Sequence, residues 1–541
     1  MQGKFKLMRF LRYFSFLLIL TLVLFTNCAK RGTITGGLKD TLAPVILSTN
    51  PENFSTHFKE KTIQINFDEY VKLNKVNQQL IISPPMDIQP EITPMGYPSK
   101  FIKIKIFDTL KASTTYSFNF GESIQDNNEG NPYTNYKYVF STGDYIDSLK
   151  LTTNFEDAYS KKSNGTINVL LYETEGFNDS TIYKKKPLYV ASVKDSVSTA
   201  DLENLKSGSY YLVALQEKSS NYKFDPKSDK IGFHSTPITL PTDSVYSVKL
   251  FSETKQATAY RPSLVSQNKW LAAYEGDTKN LKVTAVGNNK PIASRIQKVP
   301  GKDSIYIFTP TDKYDSLQFK FKTTDYEKIH SVNQRTLKQI DTLQVKFTKS
   351  GTIQFRDTIS FTTNTPFKSI SNDLIQVIGK DSLQIPFTIK TDSLNNTVKI
   401  LFDKVEEEKY TVFLKPNSVT DFYDTALKTE MIQRFQTGKL TEYGNISFTL
   451  SGTVNYPIIF ELLTKDEKLY DYLYITEESS IEFRAIEPDK YFIRIIEDAN
   501  GNKKWDTGSY LEKRQPEKVI NFLKEFDIRA NWELNETLVM P

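Results

Sequence analysis

Short stretches in which apolar and polar residues alternate recur along most of the chain. Clear examples lie at residues 62–67, 101–107, 317–322 and 342–347. Alternation with a period of two turns one face of a strand toward a core and the other toward solvent. Between residues 43 and 145, strands of this kind recur about every ten residues with turn residues between them, and no helical period is sustained. We therefore predict an all-β chain built from tandem β-sandwich domains.

The chain repeats itself at long range. One pattern consists of a tyrosine, an aspartate and a closing Phe-x-Thr-Gly, with nearly equal gaps in its two copies: Tyr116, Asp126, Phe140, Thr142 and Gly143, then Tyr410, Asp421, Phe435, Thr437 and Gly438. A second pattern has identical gaps in both copies: Tyr210, Gln216, Glu217, Asn221, Phe224 and Asp225, then Tyr491, Glu497, Asp498, Asn502, Trp505 and Asp506. Such self-similarity predicts a two-domain unit that occurs twice.

These repeats, with a chain too long for one hydrophobic core, predict five folded domains. We place them at residues 43–145, 146–252, 253–348, 349–438 and 439–541, and the kind of sandwich at 253–348 is undetermined. The last domain is expected to close with a strand at residues 526–534 that buries Trp532 in the core.

The amino-terminal segment has the order of a secretory signal. Four basic residues precede an apolar run at residues 16–25, which is about half the ~20 residues that a membrane-spanning helix needs. Cys28, the only cysteine of the 541 residues, follows directly. We predict a signal peptide at residues 1–27 and a Gly/Thr-rich tether at residues 28–42.

Residues 25–28, Phe-Thr-Asn-Cys, resemble a bacterial lipobox, although Phe25 and Asn27 replace the usual leucine and small residue. The resemblance implies that Cys28 is acylated and that membrane lipid holds the mature chain. Because Ala29 rather than an aspartate follows, it also implies the outer membrane, on either its periplasmic or its cell-surface face. The alternative is an ordinary signal peptide with an incidental cysteine.

Charge and cysteine content exclude some classes of protein. Without residues 1–27 the chain carries 65 basic and 64 acidic side chains, so no basic excess is left to neutralise nucleic-acid phosphates. A single cysteine cannot form an internal disulfide, so folding must depend on apolar burial. Tyr (30) and Phe (36) are abundant among the apolar residues, as expected for β-structure.

Two domain types resemble known families. The pattern Ile63-x-Ile65-x-Phe67, then Tyr116, Asp126 and Phe140-Ser-Thr-Gly143 is similar to the bacterial Ig-like domain of surface-layer proteins. The stretch 205–215, Leu-Lys-Ser-Gly-Ser-Tyr followed by an apolar strand, resembles the carboxypeptidase regulatory-like sandwich. Both resemblances imply spacer or binding modules rather than enzymes, and the repeats extend them to residues 349–438 and 439–541.

The tether sequence from Cys28 to Thr41 and the order of the domains resemble large Ig-like outer-membrane lipoproteins of gliding-type Gram-negative bacteria. This implies a non-catalytic scaffold or accessory subunit of an envelope complex that contacts an outer-membrane protein, such as the barrel-assembly machinery. The alternative is a surface adhesin or glycan-binding lipoprotein. A hidden hydrolase is a third and weaker interpretation.

One loop has the logic of a metal site. Asp498, Asn500, Asn502 and Asp506 alternate around Gly501, and calcium prefers six to eight such oxygens. The alternative is an Asn/Gly-rich hairpin whose side chains satisfy local backbone amides. The first copy, with Glu217, Ser219, Asn221 and Asp225, has fewer ligands. We predict calcium at the second copy only as an optional ion, with no cofactor required.

Catalytic motifs are absent from the sequence. The three histidines, His57, His234 and His330, lie in three different predicted domains. A histidine-based triad or zinc site would need those domains to converge. No Gly-x-Ser-x-Gly, His-Glu-x-x-His or phosphate-binding loop occurs. We therefore predict that the protein is not an enzyme.

Overall fold

The computed structural model describes residues 40–161, 165–193, 198–335 and 337–541. The predicted signal peptide, Cys28 and nearly all of the tether lie outside these residues. The chain divides into two compact units, each described by itself. The first runs up to Leu80 and adds Ile88–Leu110 and Phe118–Phe140, and the second holds Ile81–Asp87, Lys111–Ser117 and Ser141–Pro541. No helix in the described ranges has the length and apolar character needed to cross a membrane.

Eight strands and a one-turn helix, Val76–Gln79, lie between residues 46 and 141. The strands are β1 (Ile46–Asn50), β2 (Thr62–Leu73), β3 (Ile81–Ser83), β4 (Glu91–Thr93), β5 (Ser99–Lys105), β6 (Thr115–Asn119), β7 (Ile124–Asp126) and β8 (Lys137–Ser141). The first unit contains an antiparallel sheet in which β2 pairs with β1, β5 and β7, and β4 pairs with β5. Ile63 and Ile65 lie opposite Ile104 and Ile102, and all four are fully buried. Alternation therefore sets the buried face of this sheet.

The second sandwich is built from strands β9–β16: β9 (Leu149–Asp157), β10 (Ile167–Glu173), β11 (Tyr189–Val193), β12 (Thr199–Leu205), β13 (Gly208–Gln216), β14 (Lys230–Phe233), β15 (Ile238–Leu240) and β16 (Tyr246–Leu250). One sheet has the order β11-β10-β13-β14, with β15 also on β13. The other has the order β12-β9-β16, in which β16 runs parallel to β9. Leu171 and Leu212 of the first sheet pack against Leu151 and Val248 of the other. A one-turn helix, Thr181–Lys184, follows β10.

The third sandwich contains β17 (Thr258–Ala259), β18 (Ser263–Ser266), β19 (Lys269–Glu275), β20 (Lys282–Gly287), β21 (Lys290–Ile292), β22 (Arg295–Lys298), β23 (Ser304–Phe308), β24 (Leu317–Lys322) and β25 (Glu327–Val332). Its sheets have the orders β17-β19-β23-β22, with β18 on β19, and β21-β20-β24-β25. Trp270 of one sheet meets Phe319 of the other, with ring centroids 5.3 Å apart.

The fourth sandwich contains β26 (Val345–Phe347), β27 (Gly351–Ile353), β28 (Ile359–Thr363), β29 (Phe367–Ile370), β30 (Ile375–Ile378), β31 (Thr388–Asp392), β32 (Thr397–Leu401), β33 (Lys409–Leu414), β34 (Val419–Asp421) and β35 (Met431–Thr437). The sheets are β26-β28-β32-β31, β27-β35-β33-β30 and the pair β29-β34. A 3-10 turn, Asn372–Leu374, precedes β30. Residues Val345–Phe347 pair with β28 and so belong to a sheet of the fourth sandwich, and the domain border between residues 348 and 349 stays a prediction.

The fifth sandwich follows a 3-10 turn, Leu440–Glu442, and contains β36 (Gly444–Ser451), β37 (Ile458–Thr464), β38 (Leu469–Ile475), β39 (Ile481–Ile486), β40 (Asp489–Glu497), β41 (Val519–Asn521), β42 (Phe526–Ile528) and β43 (Glu533–Val539). The sheets β38-β37-β40-β41, with β42 on β40, and β39-β36-β43 repeat the topology of the second sandwich, including its parallel pair. The prediction of tandem β-sandwiches is confirmed.

The prediction that Trp532 is buried in the core is wrong. The predicted closing strand is broken by a turn between β42 and β43, in which Asn531 has a φ of 58°. Trp532 lies in that turn and is 52% exposed, with the Arg529 guanidinium 4.9 Å from its ring centroid. The interruption of the alternation places this indole on the surface rather than in the core.

Candidate functional site

The predicted metal loop joins β40 to β41, and its first residue is deeply buried. Asp498 has no exposed surface, and its carboxylate accepts the backbone N–H groups of Asn502 at 3.1 Å and Lys503 at 2.8 Å. Lys503 adopts a left-handed φ of 65°, which turns the chain so that both N–H groups reach the carboxylate. Asp498 therefore acts here as an acceptor for the backbone of its own loop.

The other three predicted ligands do come together, but through hydrogen bonds with each other. The amide groups of Asn500 and Asn502 both donate to Asp506 Oδ2, and their amide oxygens accept backbone N–H groups of the loop at 3.0 Å. Within the described ranges, no group of three or more His, Cys, Asp or Glu side chains could hold a metal ion. This arrangement favours the hairpin alternative, and calcium at this loop stays a prediction.

Glu517 was not identified from the sequence, and its carboxylate accepts hydrogen bonds from two backbone N–H groups of the loop. Its two carboxylate oxygens accept the backbone N–H groups of Ala499 and Asp506, each at 2.9 Å. Burial raises the pKa of Glu517, and the nearby Asp506 and Asp498 carboxylates raise it further. Glu517 lies outside the alternating pattern of Asp498 to Asp506, so the spacing of residues in the loop does not predict its role.

The first copy of the loop has the same construction. Glu217 accepts the backbone N–H groups of Asn221 and Tyr222, and Tyr222 is left-handed with a φ of 59°. Asp229 accepts the N–H groups of Lys218 and Asp225, as Glu517 does in the second copy. Burial raises the pKa of Glu217. The repeated acidic residues are thus explained by loop structure in both copies.

Two tyrosine pairs repeat in the same sandwiches. Tyr210 donates its hydroxyl hydrogen to the Lys206 carbonyl, and Tyr491 donates to the Glu487 carbonyl, both at 2.9 Å. Each has an edge-on tyrosine neighbour, Tyr189 at 5.9 Å and Tyr470 at 5.0 Å between ring centroids. Tyr210 and its counterpart Tyr491 are therefore both buried and held in place within their cores.

The Ig-like repeat also has a common corner. The Tyr116 hydroxyl accepts the N–H of Lys111 at 2.8 Å, and the Tyr410 hydroxyl accepts the N–H of Val405 at 2.6 Å. Thr142 donates to the Lys111 carbonyl, and Thr437 donates to the Val405 carbonyl. The tyrosine and the closing threonine thus secure the same backbone turn in both copies, as in the tyrosine corner of Ig-type sandwiches.

The segment after the acidic loop, residues 505–515, docks on the second sandwich. Tyr510 is 3% exposed and belongs to a cluster with Phe233, Phe251 and Ile182. Its ring stands edge-on to Phe233 with centroids 5.4 Å apart. The backbone at Gly508 lies so close that an added Cβ would come within 2.5 Å of the Phe251 ring. We call this contact between the fifth and second sandwiches the docking seam.

A buried ion pair lies at the other end of the docking seam. Arg494 on β40 pairs with Glu461 on β37 at 2.6 Å, and the two side chains are 3% and 8% exposed. The Arg494 guanidinium also donates to the Tyr159 hydroxyl at 2.7 Å and stacks 3.7 Å from the centre of the Tyr159 ring. Burial raises the pKa of Tyr159, and Trp505 packs 4.7 Å from its ring. Tyr159 belongs to the second sandwich, so this cluster joins segments far apart in the sequence.

Comparison with known proteins finds one family model that matches the amino-terminal part of the chain. Residues 40–142 match the family model of the bacterial Ig-like domain. The match agrees with the prediction for residues 43–145 and begins and ends three residues earlier. A comparison with the curated proteins finds no match to the chain.

Several solved structures align with the chain at low identity and low TM-score. Domains 1–6 of the surface layer protein SbsC are 10% identical over 90% of this chain and 67% of that one, with a TM-score of 0.15. BcpA, the major pilin subunit of Bacillus cereus, is 12% identical over 72% of this chain and 99% of that one, with a TM-score of 0.14. The Bacillus anthracis TIE protein is 10% identical over 93% of this chain and 76% of that one, with a TM-score of 0.12.

Proposed function

We propose that the chain is a non-catalytic, lipid-anchored outer-membrane protein that serves as a scaffold or accessory subunit of an envelope complex. The docking seam carries the scaffold part of the proposal. It ties the fifth sandwich to the second through Tyr510, Arg494 and Tyr159, and the first two of these are each 3% exposed. Sandwiches held in this way present one fixed surface to a partner.

The five-domain division belongs to the same proposal. Four core clusters each join two facing sheets in the second to fifth sandwiches, and residues 40–142 match a bacterial Ig-like domain. The engagement of the repeated Asp, Glu and Tyr groups with local backbone supports a structural role for them.

The anchor is supported by Cys28, which lies outside the described residues, and by the lipobox-like sequence before it. Several acyl chains on one cysteine hold a protein to a membrane stably, because each buried methylene contributes about 0.8 kcal/mol. The test is metabolic labelling with a fatty acid in cells, comparing the parent with Cys28→Ser. We expect the label and membrane retention to be lost in the variant; unchanged retention would overturn the anchor.

The partner is tested by purification in mild detergent. We expect an outer-membrane barrel protein to co-purify with the chain and to crosslink to it in intact cells. A monodisperse protein without a partner under both conditions would contradict the scaffold proposal.

The exposed Trp532 favours a second candidate function, that of a glycan-binding surface lipoprotein. Aromatic faces stack on sugar rings, and this indole is 52% exposed beside Arg529. A polysaccharide array probed with the parent and with Trp532→Ala separates the two functions. If the chain binds glycans through this indole, the variant loses the signal that the parent gives.

A further inference from the structure

The outer face of the β4–β5 hairpin is unusual for a sandwich surface. Phe101, Lys103, Lys105 and Phe107 follow one another on the solvent side, and the two phenylalanines are 42% and 48% exposed. Lys105 lies over the Phe107 ring at 5.1 Å. In the part of the chain that the structure describes, neither Lys103 nor Lys105 forms an ion pair. We call these four residues the aromatic–lysine face.

Further apolar side chains lie at both ends of this face. At one end the β4–β5 loop exposes Met95 and Tyr97. At the other end Ile88 is 54% exposed, and its backbone N–H reaches the Asp108 carboxylate. Exposed apolar side chains thus lie beyond both ends of β5, while Glu91 of β4, opposite Lys105 in register, is an exposed acidic neighbour of the face.

The equivalent face of the fourth sandwich lacks this character. The pairs Ile63–Ile104 and Ile65–Ile102 correspond in register to Ile359–Ile400 and Phe361–Val398. By that register the positions of the aromatic–lysine face are occupied by Thr397, Lys399, Leu401 and Asp403. Two copies of one framework thus differ on this face, and only the copy beside the tether is aromatic and basic.

We infer that the aromatic–lysine face rests on an anionic lipid surface. Aromatic rings with lysines whose stems lie along apolar surface match the boundary between headgroups and acyl chains, where the ammonium groups meet lipid phosphates. Position supports this occupant, because the chain between Cys28 and Asp40 spans at most about 40 Å when fully extended. The inference rests on the proposed anchoring, since Cys28 is what brings the face to the membrane.

The test compares matched variants of the full chain carrying Cys28→Ser, so that no acyl chain contributes to binding. Partition onto phosphatidylglycerol-containing vesicles is measured by sedimentation for the parent, for Lys103→Gln/Lys105→Gln and for the control Lys390→Gln/Lys399→Gln. Lys390 and Lys399 are exposed and paired across β31 and β32 of the fourth sandwich. The apolar run at residues 16–25 is common to all variants, so only differences between them are interpreted.

We expect the Lys103/Lys105 variant to lose about 25-fold in partition, since each of the two lysines near an anionic surface contributes about fivefold. The Lys390/Lys399 control should differ from the parent by less than about twofold on anionic vesicles. On neutral phosphatidylcholine vesicles, all variants should agree within about twofold. An equal loss in both variants, or no loss in either, overturns the inference.

A reporter fixes the occupant. With Cys28→Ser present, Phe101→Cys creates a single thiol for an environment-sensitive fluorophore, which should shift to the blue on anionic vesicles. A shift that appears without vesicles as protein concentration rises would assign the face to a second copy of the chain and overturn the inference. Failure of Cys28 acylation in cells would overturn the proposed anchor alone, because these measurements use the unanchored chain.

Discussion

The second and fifth sandwiches share topology, acidic loops and tyrosine pairs, yet they fill the middle of one sheet face differently. In the second, Leu170 lies opposite Val213, and both are buried. In the fifth, the same register places Glu461 opposite Arg494, which are also buried. An apolar pair only has to be buried away from water, whereas a buried ion pair also needs hydrogen-bond partners for its charged groups. The fifth sandwich obtains one of them from the Tyr159 hydroxyl of the second, so the ion pair found in only one copy takes part in the contact between the two.

The largest effect is expected from breaking the ion pair on one side. Arg494→Leu leaves Glu461 charged and unpaired, which should cost about 3–5 kcal/mol. Hydrogen exchange at β37 and β40 measures the loss locally, in a chain whose several domains need not unfold together.

The double variant Glu461→Leu/Arg494→Val gives the fifth sandwich the pair found in the second. We expect it to recover most or all of the stability lost in Arg494→Leu, because apolar pairs often replace buried ion pairs without cost. If the double variant is as unstable as Arg494→Leu, the loss comes from the hydrogen bond and stacking contact between Arg494 and Tyr159 rather than from the unpaired Glu461.

The next effect concerns Tyr510, which supplies the apolar part of the docking seam. Tyr510→Ala should destabilise the contact by about 3–5 kcal/mol, as expected for deleting a buried aromatic ring. In the described part of the chain the buried Tyr510 hydroxyl has no hydrogen-bond partner. Tyr510→Phe should therefore be neutral or stabilising, since no bond is lost. Limited proteolysis between the fourth and fifth sandwiches reports the contact, and equal sensitivity of both variants would contradict this account.

A smaller effect is expected at the corner shared by the Ig-like copies. Tyr410→Phe removes the acceptor of the Val405 N–H and should cost about 1–2 kcal/mol. Thermal unfolding measured beside Phe402→Leu, which keeps the hydroxyl bond while trimming the ring packed 5.0 Å from Tyr410, separates the bond from the packing. No loss in Tyr410→Phe would mean that water satisfies the turn equally well.

The smallest effect is expected from removing divalent cations. Since the oxygens of Asp498 and Glu517 already accept backbone N–H groups, a chelator should leave the melting temperature of the chain unchanged. A calcium-dependent rise in melting temperature that Asp506→Asn abolishes would instead establish the cation site, because a ligand stabilises only the state that it binds.

These comparisons show which features the sequence could reveal. Alternation located strands well: residues 317–322 coincide with β24, and residues 62–67 begin β2. Equal gaps around Tyr210 and Tyr491 revealed a repeat whose hydrogen bonds prove to be the same. Local signals failed where a contact is remote, because neither Tyr510 nor Glu517 stands in a pattern with the residues that it meets. Trp532 was misassigned because its size predicts burial, while the turn that exposes it depends on Asn531.

The docking seam has a consequence for the folding of the chain during its synthesis. Thr507 and Ser252, which meet across it, are 255 positions apart. At about 5–20 residues per second, synthesis separates the two by roughly 13–50 seconds. During that interval the Phe233 and Phe251 surface has no Tyr510 to cover it. A nascent chain therefore exposes this apolar surface for a limited time, and a chaperone that binds it has a defined period and a defined place at which to act.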